Sequence, residues 1–223
     1  MTVDDSRKSP KISIVLPTFN GERWLNEAIT SVMNQTEEDW ELVIVDDCST
    51  DSSLDIARSF AQKDGRIRVI SNEVNKKLPE SLNIGFENAV GEYLTWTSDD
   101  NLFKPNALES LSSYLDNHPS VDLVSMSFDY INECGEVIAH SDDDYPFGRC
   151  SESLLIHCNV GAAFMYRRKI AQRVGQWDSK LFCGEDYDYW CRIALAGEIA
   201  YTQDNIYLYR KNPMSLTATR RKL

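Results

Sequence analysis

Three pairs of adjacent carboxylates stand where they could do chemistry: Asp46-Asp47, Asp99-Asp100 and Glu185-Asp186. The first two follow short apolar runs, Leu42 to Val45 and Tyr93 to Trp96, and the third opens an amphipathic stretch ending near Ala196. Two neighbouring acids just past a buried strand are costly without a counter-charge. Mg2+ or Mn2+ supplies one, taking oxygens from one or two carboxylates and completing its shell with phosphate. Asp99-Asp100 is therefore a candidate metal and diphosphate site. Its structural alternative is a cap, from Asp100 or Asn101, on the helix after Pro105. Asp46-Asp47, followed by Cys48-Ser49-Thr50-Asp51, can present a carboxylate to the donors of a nucleobase or ribose, or cap the next helix. Glu185-Asp186 also has a structural alternative, because acids are favoured in a first helical turn.

Other reaction classes lack their residues. There is no G-x-G-x-x-G fingerprint, no G-K-[ST] phosphate loop and no G-x-S-x-G elbow. None of the three histidines has an evident Ser or Cys partner. The six cysteines form no C-x-x-C pair and read as reduced thiols. A disulfide among Cys150, Cys158, Cys183 and Cys191 is the lesser alternative. Asp142-Asp143-Asp144 reads as a solvated loop.

Composition narrows the field further. A chain of 223 residues with 42% hydrophobic and 26% charged residues suits one soluble globular domain. Asp and Glu total 35 against 23 Lys and Arg, a net charge of −12. That balance argues against a nucleic-acid partner, since phosphate neutralisation needs a basic face. It leaves room for a nucleotide carried on a cation. No apolar run reaches the roughly 18 residues of a membrane helix. Residues 1–10 lack the apolar core of a signal peptide, so a cytoplasmic location is expected. Arg220-Arg221-Lys222 could touch the anionic inner face of a membrane carrying a lipid-linked acceptor.

Alternating strand and helix signals must position the acids. Apolar β-branched runs at 12–16, 42–45, 67–70 and 93–96 read as buried strands. Between them, 22–35, 51–61 and 79–89 carry helical spacing. This β-α-β-α-β-α-β order predicts an α/β fold with a mostly parallel, Rossmann-like sheet and helices on both faces. Ligands in such sheets sit beyond the carboxyl ends of the strands, where both Asp pairs fall. A helix at 106–117, a strand at 121–126 and a helix at 184–196 follow, and the stretch between the last two shows no clear period.

These residues resemble family 2 glycosyltransferases. The likeness runs through Ile14 to Asn20, Leu42 to Asp51, Asn83-Ile84-Gly85, Gly91-Glu92-Tyr93-Leu94 and Thr97-Ser98-Asp99-Asp100 followed by Pro105. It continues through Trp177-Asp178, Gly184 to Asp188, Arg192 and Tyr209-Arg210. The resemblance implies a single GT-A domain over residues 11–217, between a flexible N-terminal tail (1–10) and a basic C-terminal tail (218–223). It also implies an inverting enzyme that moves a sugar, UDP-linked by expectation, from a nucleotide-sugar donor to a glycan or lipid-linked acceptor. Bacterial-type polysaccharide or glycoconjugate synthesis would be its setting.

The same resemblance assigns roles. Pro17, Thr18, Phe19 and Asp47 match nucleotide-binding positions, with Asp99 on the ribose. Asp99 and Asp100 match the metal site for Mn2+ or Mg2+. Asp186 matches the catalytic base, with Glu185 beside it on the acceptor side. Gly161-Ala162-Ala163 matches a stretch lining the sugar and acceptor pocket, and acceptor contacts are expected from residues 129–164. Three positions depart from the pattern: Thr97 where the acidic motif begins with Asp, Leu82 where an Arg is common, and Asn212 where a His is common. Lys76 or Lys77 could replace the Arg in contacting phosphate. The departures keep open an alternative reading, a catalytically degenerate domain that binds a nucleotide sugar or serves as a scaffold. A nucleotidyltransferase fits less well, since Pro17 to Glu22 offers one Gly and an acid where a basic Gly-rich loop is wanted.

Overall fold

The computed structural model describes residues 9–141, Leu154 and 158–220. The first half alternates as its apolar runs require. β1 (Ile12–Thr18), α1 (Leu25–Met33), β2 (Trp40–Asp46), α2 (Ser53–Ala61), β3 (Ile67–Ser71), α3 (Leu78–Asn88) and β4 (Tyr93–Trp96) follow in order. β1 pairs in parallel with both β2 and β4, and β2 with β3. All seven residues of β1 and of β2 are buried, which is why they read as continuous apolar runs instead of alternating ones.

The second half is β5 (Leu102–Phe103), α4 (Ala107–Asn117), β6 (Leu123–Ile131), β7 (Val137–His140), β8 (Ala163–Arg167), α5 (Arg168–Val174), α6 (Glu185–Ala196), β9 (Ile199–Arg210) and α7 (Leu216–Arg220). The sheet runs β3-β2-β1-β4-β8-β6-β9-β5, with β7 on β6. Beyond β4 its pairings turn mixed: β8 is antiparallel to β4 and β6, β6 is parallel to β9, and β5 is antiparallel to β9. The α/β expectation holds, but the sheet is mixed instead of mostly parallel: β3-β2-β1-β4 is a continuous parallel block, and β6-β9 is a separate parallel pair.

Two hydrophobic layers flank the sheet. Ile12, Ile14 and Leu16 of β1 pack with α1, α2 and α4, through Leu25, Ile29, Ala57 and Leu111. Val15 of the same strand faces α3, α5 and α6, through Leu82, Ile170 and Ile193. That division follows the two-residue side-chain period of a strand. Each fully buried Leu or Ile stabilises by roughly 1.5–3 kcal/mol relative to exposure. α3 approaches β1 so closely that a Cβ at Gly85 would stand 2.3 Å from Val15 Cγ1.

Asp100 and Asn101 do not cap the next helix. β5 intervenes, and α4 opens after Asn106. Asp142 to Asp144, Cys150, Arg221 and Lys222 lie outside the described residues, and the other five cysteines are free thiols. No helix among the described residues is long and apolar enough to cross a membrane.

Candidate functional site

The carboxyl ends of β1, β2 and β4 meet at one edge of the sheet. Thr18 at the end of β1 donates its hydroxyl to Asp99 Oδ2 at 2.6 Å, and its carbonyl accepts the Asp47 amide at 2.8 Å. Pro17 is buried inside β1, whereas Phe19, just beyond it, is 50% exposed and offers a ring to a planar ligand. The turns after β1 and β2 are laced together: Gly21 N donates to Ser53 Oγ, Thr50 N to Asn20 Oδ1 and Ser52 N to Glu22 Oε2. Ser49 to Ser53 thus hold the floor of the site, and Asp46, 1% exposed, points to Ser71 of β3.

Asp47 is 4% exposed and accepts three hydrogen bonds, all 2.8 Å long, from Asn72 Nδ2 and the backbone amides of Lys76 and Lys77. It therefore fixes the loop between β3 and α3. Among the described residues, four non-glycine residues have left-handed φ: Asn20, Cys48, Lys77 and Cys183. They sit at the ends of β1 and β2 and at the starts of α3 and α6. Such conformations cost on the order of 1–3 kcal/mol each and gather where function over-determines the backbone.

Gly21 leaves no room for a side chain. A Cβ there would stand 2.1 Å from Asp99 Oδ2 and 2.8 Å from Thr18 Oγ1. Gly21→Ala is expected to push Asp99 off Thr18 and weaken nucleotide binding by at least about ten-fold, or 1.4 kcal/mol. A UDP titration with unchanged affinity would dissociate this contact from ligand binding.

Burial raises Asp99 to about 6 against hydrogen bonds from Thr18 and the Phe19 amide, and the Asp100 charge pushes the same way. Burial also raises Asp100, opposed by the Asn212 amide at 3.0 Å. The folded metal-free protein thus holds a proton on Asp99 more tightly than the unfolded chain does. The associated stability is complete below about pH 4 and is lost as pH rises through about 6, at most about 3 kcal/mol. Asp99→Asn keeps an acceptor for Thr18 and carries no charge. Its melting temperature should exceed that of the metal-free native protein at pH 8, with the gap closing by pH 5. A pH-independent gap would refute the assignment.

The third pair arrives on α6. That helix ends at Ala196, beside the shared start of β6 and β9, so its first turn lies at the carboxyl end of β4. Both acids occupy that turn. Burial raises Asp186 against its bond from the Tyr187 amide at 2.7 Å. Glu185 is 5% exposed and folds back onto the Gly184 amide at 3.0 Å. Burial, then the Asp186 charge, pushes the nearby Cys158 thiol up to about 12, so it stays neutral. No contact joins Asp186 to Asp99 directly. An aromatic cluster sets their relation: Trp96 meets Trp177 edge-on at 6.4 Å, and Trp177 stacks on Tyr189 of α6 at 4.0 Å. Phe164 of β8 packs between Trp96 and Trp190, with ring centroids 6.0 and 4.6 Å away.

The family model described as glycosyl transferase family 2 matches residues 13–175. The chain belongs to that family. An uncharacterized glycosyltransferase of Haemophilus influenzae is 26% identical over 215 residues, covering 90% of this chain and 65% of its own. Another, from Methanocaldococcus jannaschii, is 31% identical over 187 residues, covering 82% and 64%. The chain therefore spans just under two thirds of each of these relatives. Among solved structures, S. aureus TarS residues 1–349 in complex with UDP-GlcNAc has a TM-score of 0.77 at 22% identity, covering 91% of this chain and 59% of that one. The mannosyltransferase PcManGT from Pyrobaculum calidifontis, in complex with GDP-Man and Mn2+, also scores 0.77, at 20% identity and coverage of 96% and 60%. Both share the GT-A fold.

In this family 2 glycosyltransferase chain the motif residues divide into scaffold and site. Asn83 exchanges two 2.9 Å hydrogen bonds with the backbone of Trp177, tying α3 to the segment before α6. Arg210, 2% exposed, ion-pairs with Glu27 and donates to the carbonyls of Asp100, Asn132 and Glu133. Its own amide is accepted by Asn101 Oδ1 at 2.8 Å. Thr97 is buried and shares a 2.6 Å hydrogen bond with Tyr207, so it braces the acidic turn from beneath. Asn212 fills its divergent position by donating to Asp100. Asp129 is spent on Lys104, His140 and Asn205. These bonds tie β6 to His140 of β7 and Asn205 of β9. Ala163 is fully buried beside β6, and Gly161, half-buried, donates to Ser125 Oγ at 3.3 Å. Tyr207 carries no signal in residue type alone, and Arg210, although part of the Tyr209-Arg210 motif, is shown to be a brace only by its partners across the sheet.

Proposed function

We propose that the protein transfers a sugar from a nucleoside-diphosphate sugar to an acceptor hydroxyl with inversion at the anomeric carbon. The observation that carries this is a desolvated acid pair at the end of β4 matched with a desolvated carboxylate, Asp186, at the start of α6. Family membership supports the same reading. Phe19, Pro17, Thr18 and Asp47 would border the nucleotide, with Asp99 at the ribose.

Asp186 would accept the acceptor's hydroxyl proton as that oxygen attacks. The new C–O bond forms on the face opposite the departing diphosphate, the old glycosyl–oxygen bond breaks, and the nucleoside diphosphate leaves. No covalent glycosyl-enzyme is required, so one base suffices where a retaining hydrolase needs two flanking carboxylates. Burial keeps Asp186 more basic than an ordinary carboxylate, which suits it to the task. Glu185, turned into its own helix start, would support the acceptor side.

The residues fit a divalent cation of the Mg2+ or Mn2+ type. Thr18 and Asn212 each engage an Oδ2 atom, of Asp99 and Asp100 respectively, so both Oδ1 atoms stay clear of those contacts. No group of three or more metal-ligating residues occurs among the described residues, so diphosphate and water would complete the shell. A cation bound there would offset the charge building on the leaving diphosphate.

The test is nucleotide release from a panel of UDP-, GDP- and dTDP-sugars with Mn2+, Mg2+ or EDTA. Release with one donor, lost in EDTA, is the expected result. Donor binding without release under any condition would favour a binding or scaffold domain. Full release in EDTA would overturn the metal assignment.

A further inference from the structure

Four of the nine large apolar side chains exposed among the described residues lie on two segments beside the acidic turn. They are Val137 and Ile138 of β7, then Met214 and Leu216 after β9, all between 44% and 81% exposed. The other five are scattered: Phe19, Val74, Val90 and Leu181 in four different connections, and Leu195 near the end of α6. Backbone bonds bring the two segments together. Val137 pairs with Ile131 of β6, and the Ile131 carbonyl accepts the Lys211 amide at 2.8 Å. Asn212 Oδ1 accepts the Met214 amide at 2.9 Å, and Asn212 Nδ2 donates to Asp100 Oδ2 at 3.0 Å. One residue thus ties this surface to the acid pair.

The charge here runs against that of the chain. Residues 211–223 hold four cations, Lys211, Arg220, Arg221 and Lys222, and no acid, in a protein of net charge −12. Lys211 is exposed, its ammonium 3.4 Å from the Tyr130 ring centroid. Both carboxylates of the turn between β6 and β7 are committed, Glu133 to Arg23 and Glu136 to Asn132. Exposed apolar side chains beside clustered cations suit the interface of an anionic bilayer. The core of a protein–protein interface is depleted of lysine instead. Cations alone would give a salt-screened attraction, and the apolar side chains add a contribution that salt does not remove.

We infer that β7 and the segment from Lys211 to Leu216 form a docking surface for an anionic phospholipid bilayer. Val137, Ile138, Met214 and Leu216 enter the headgroup layer, and Lys211, with the cations that follow in sequence, meets the lipid phosphates. Docking needs no nucleotide and is independent of the transfer reaction. Its consequence for the acceptor rests on the function proposed above: the acid pair is held at the membrane surface, within reach of a bilayer-anchored acceptor.

The experiment is co-sedimentation of the full chain with phosphatidylcholine vesicles, with and without phosphatidylglycerol, at low and high salt. Melting temperature, UDP and GDP affinities and light scattering are measured alongside. The native chain should bind the mixed vesicles more tightly than pure phosphatidylcholine, with part of the excess lost at high salt. M214S/L216S and V137S/I138S should each weaken binding by at least about ten-fold, while nucleotide affinities and melting temperature hold. L195S should bind as the native chain does, and K211Q/R220Q/R221Q/K222Q should bind both vesicle types equally. A native chain that stays in the supernatant, or binds both vesicle types equally, would overturn the inference. So would native-like binding by both apolar variants, or an equal loss in L195S. A dimer that M214S/L216S dissociates, without vesicle binding, would assign the surface to a second copy. Vesicle binding by a native chain that takes neither UDP nor GDP would sink the nucleotide-sugar reading and leave the docking surface standing.

Discussion

Replacing Asp186 with Asn is expected to cut sugar transfer by about 10²–10⁴-fold, the usual contribution of a positioned general base. Asn keeps the shape of the side chain and an acceptor for the Tyr187 amide. It cannot take a proton at neutral pH. Burial already penalises the charge at this position, so removing it should leave the melting temperature equal or higher. Donor affinity should change by less than about two-fold, since Asp186 belongs to α6 and not to the strand ends proposed to border the nucleotide. The native pH profile should rise on the acid side through a value above that of an ordinary aspartate, and the variant should lose that limb. A variant turning over at the native rate would remove Asp186 from the mechanism.

Arg210→Met should be the most destabilising single change at the site. The guanidinium is buried and serves three carbonyls and Glu27, whose side chain is 57% exposed. Truncation leaves those carbonyls without a donor and Glu27 without its partner. Breaking a fully buried pair costs about 3–5 kcal/mol, and the exposure of Glu27 discounts this toward about 3 kcal/mol. For a domain of this size that corresponds to a fall of about 6–12 °C in melting temperature. Arg210→Lys should recover little, because an ammonium cannot span carbonyls arranged for a planar fork. A drop of less than about 2 °C for either variant would show that the network is replaceable by water.

The parallel half of the fold was legible because β1, β2 and β4 are almost wholly buried. β1, β2 and β4 announce themselves as apolar runs, and their carboxyl ends carry the acids directly. The remainder was obscure for physical reasons. β8 has only five residues, and β9 carries Gln203 and Asp204, both exposed, in its middle. Neither shows the period that marks a strand. The placement of Asp47, Asp99 and Asp186 could be read from sequence, but their supports could not. Tyr207 under Thr97, Arg210 under Asp100 and Trp177 against Asn83 are pairs separated by 94 to 110 positions. Residue type does not reveal such partners. Asp129 shows the converse: an acid at the edge of the stretch without a clear period, which the structure places inside β6 and bonds to Lys104 and His140.

The placement of β9 has a consequence for how the molecule assembles. The strand pairs with β6 and β5, and its last residues reach back to Asp100 and to Glu27, 183 positions away. Contacts of such separation form late, since chain-closure entropy precedes any gain from them. During synthesis the β1–β4 unit can collapse while residues beyond 199 are still unmade. Until they arrive, the acidic turn lacks Tyr207, Arg210 and Asn212 together. A nascent chain would thus hold the folded strand ends before the Asp99-Asp100 turn is braced, and the full cluster of acids and supports would be complete only once β9 has docked.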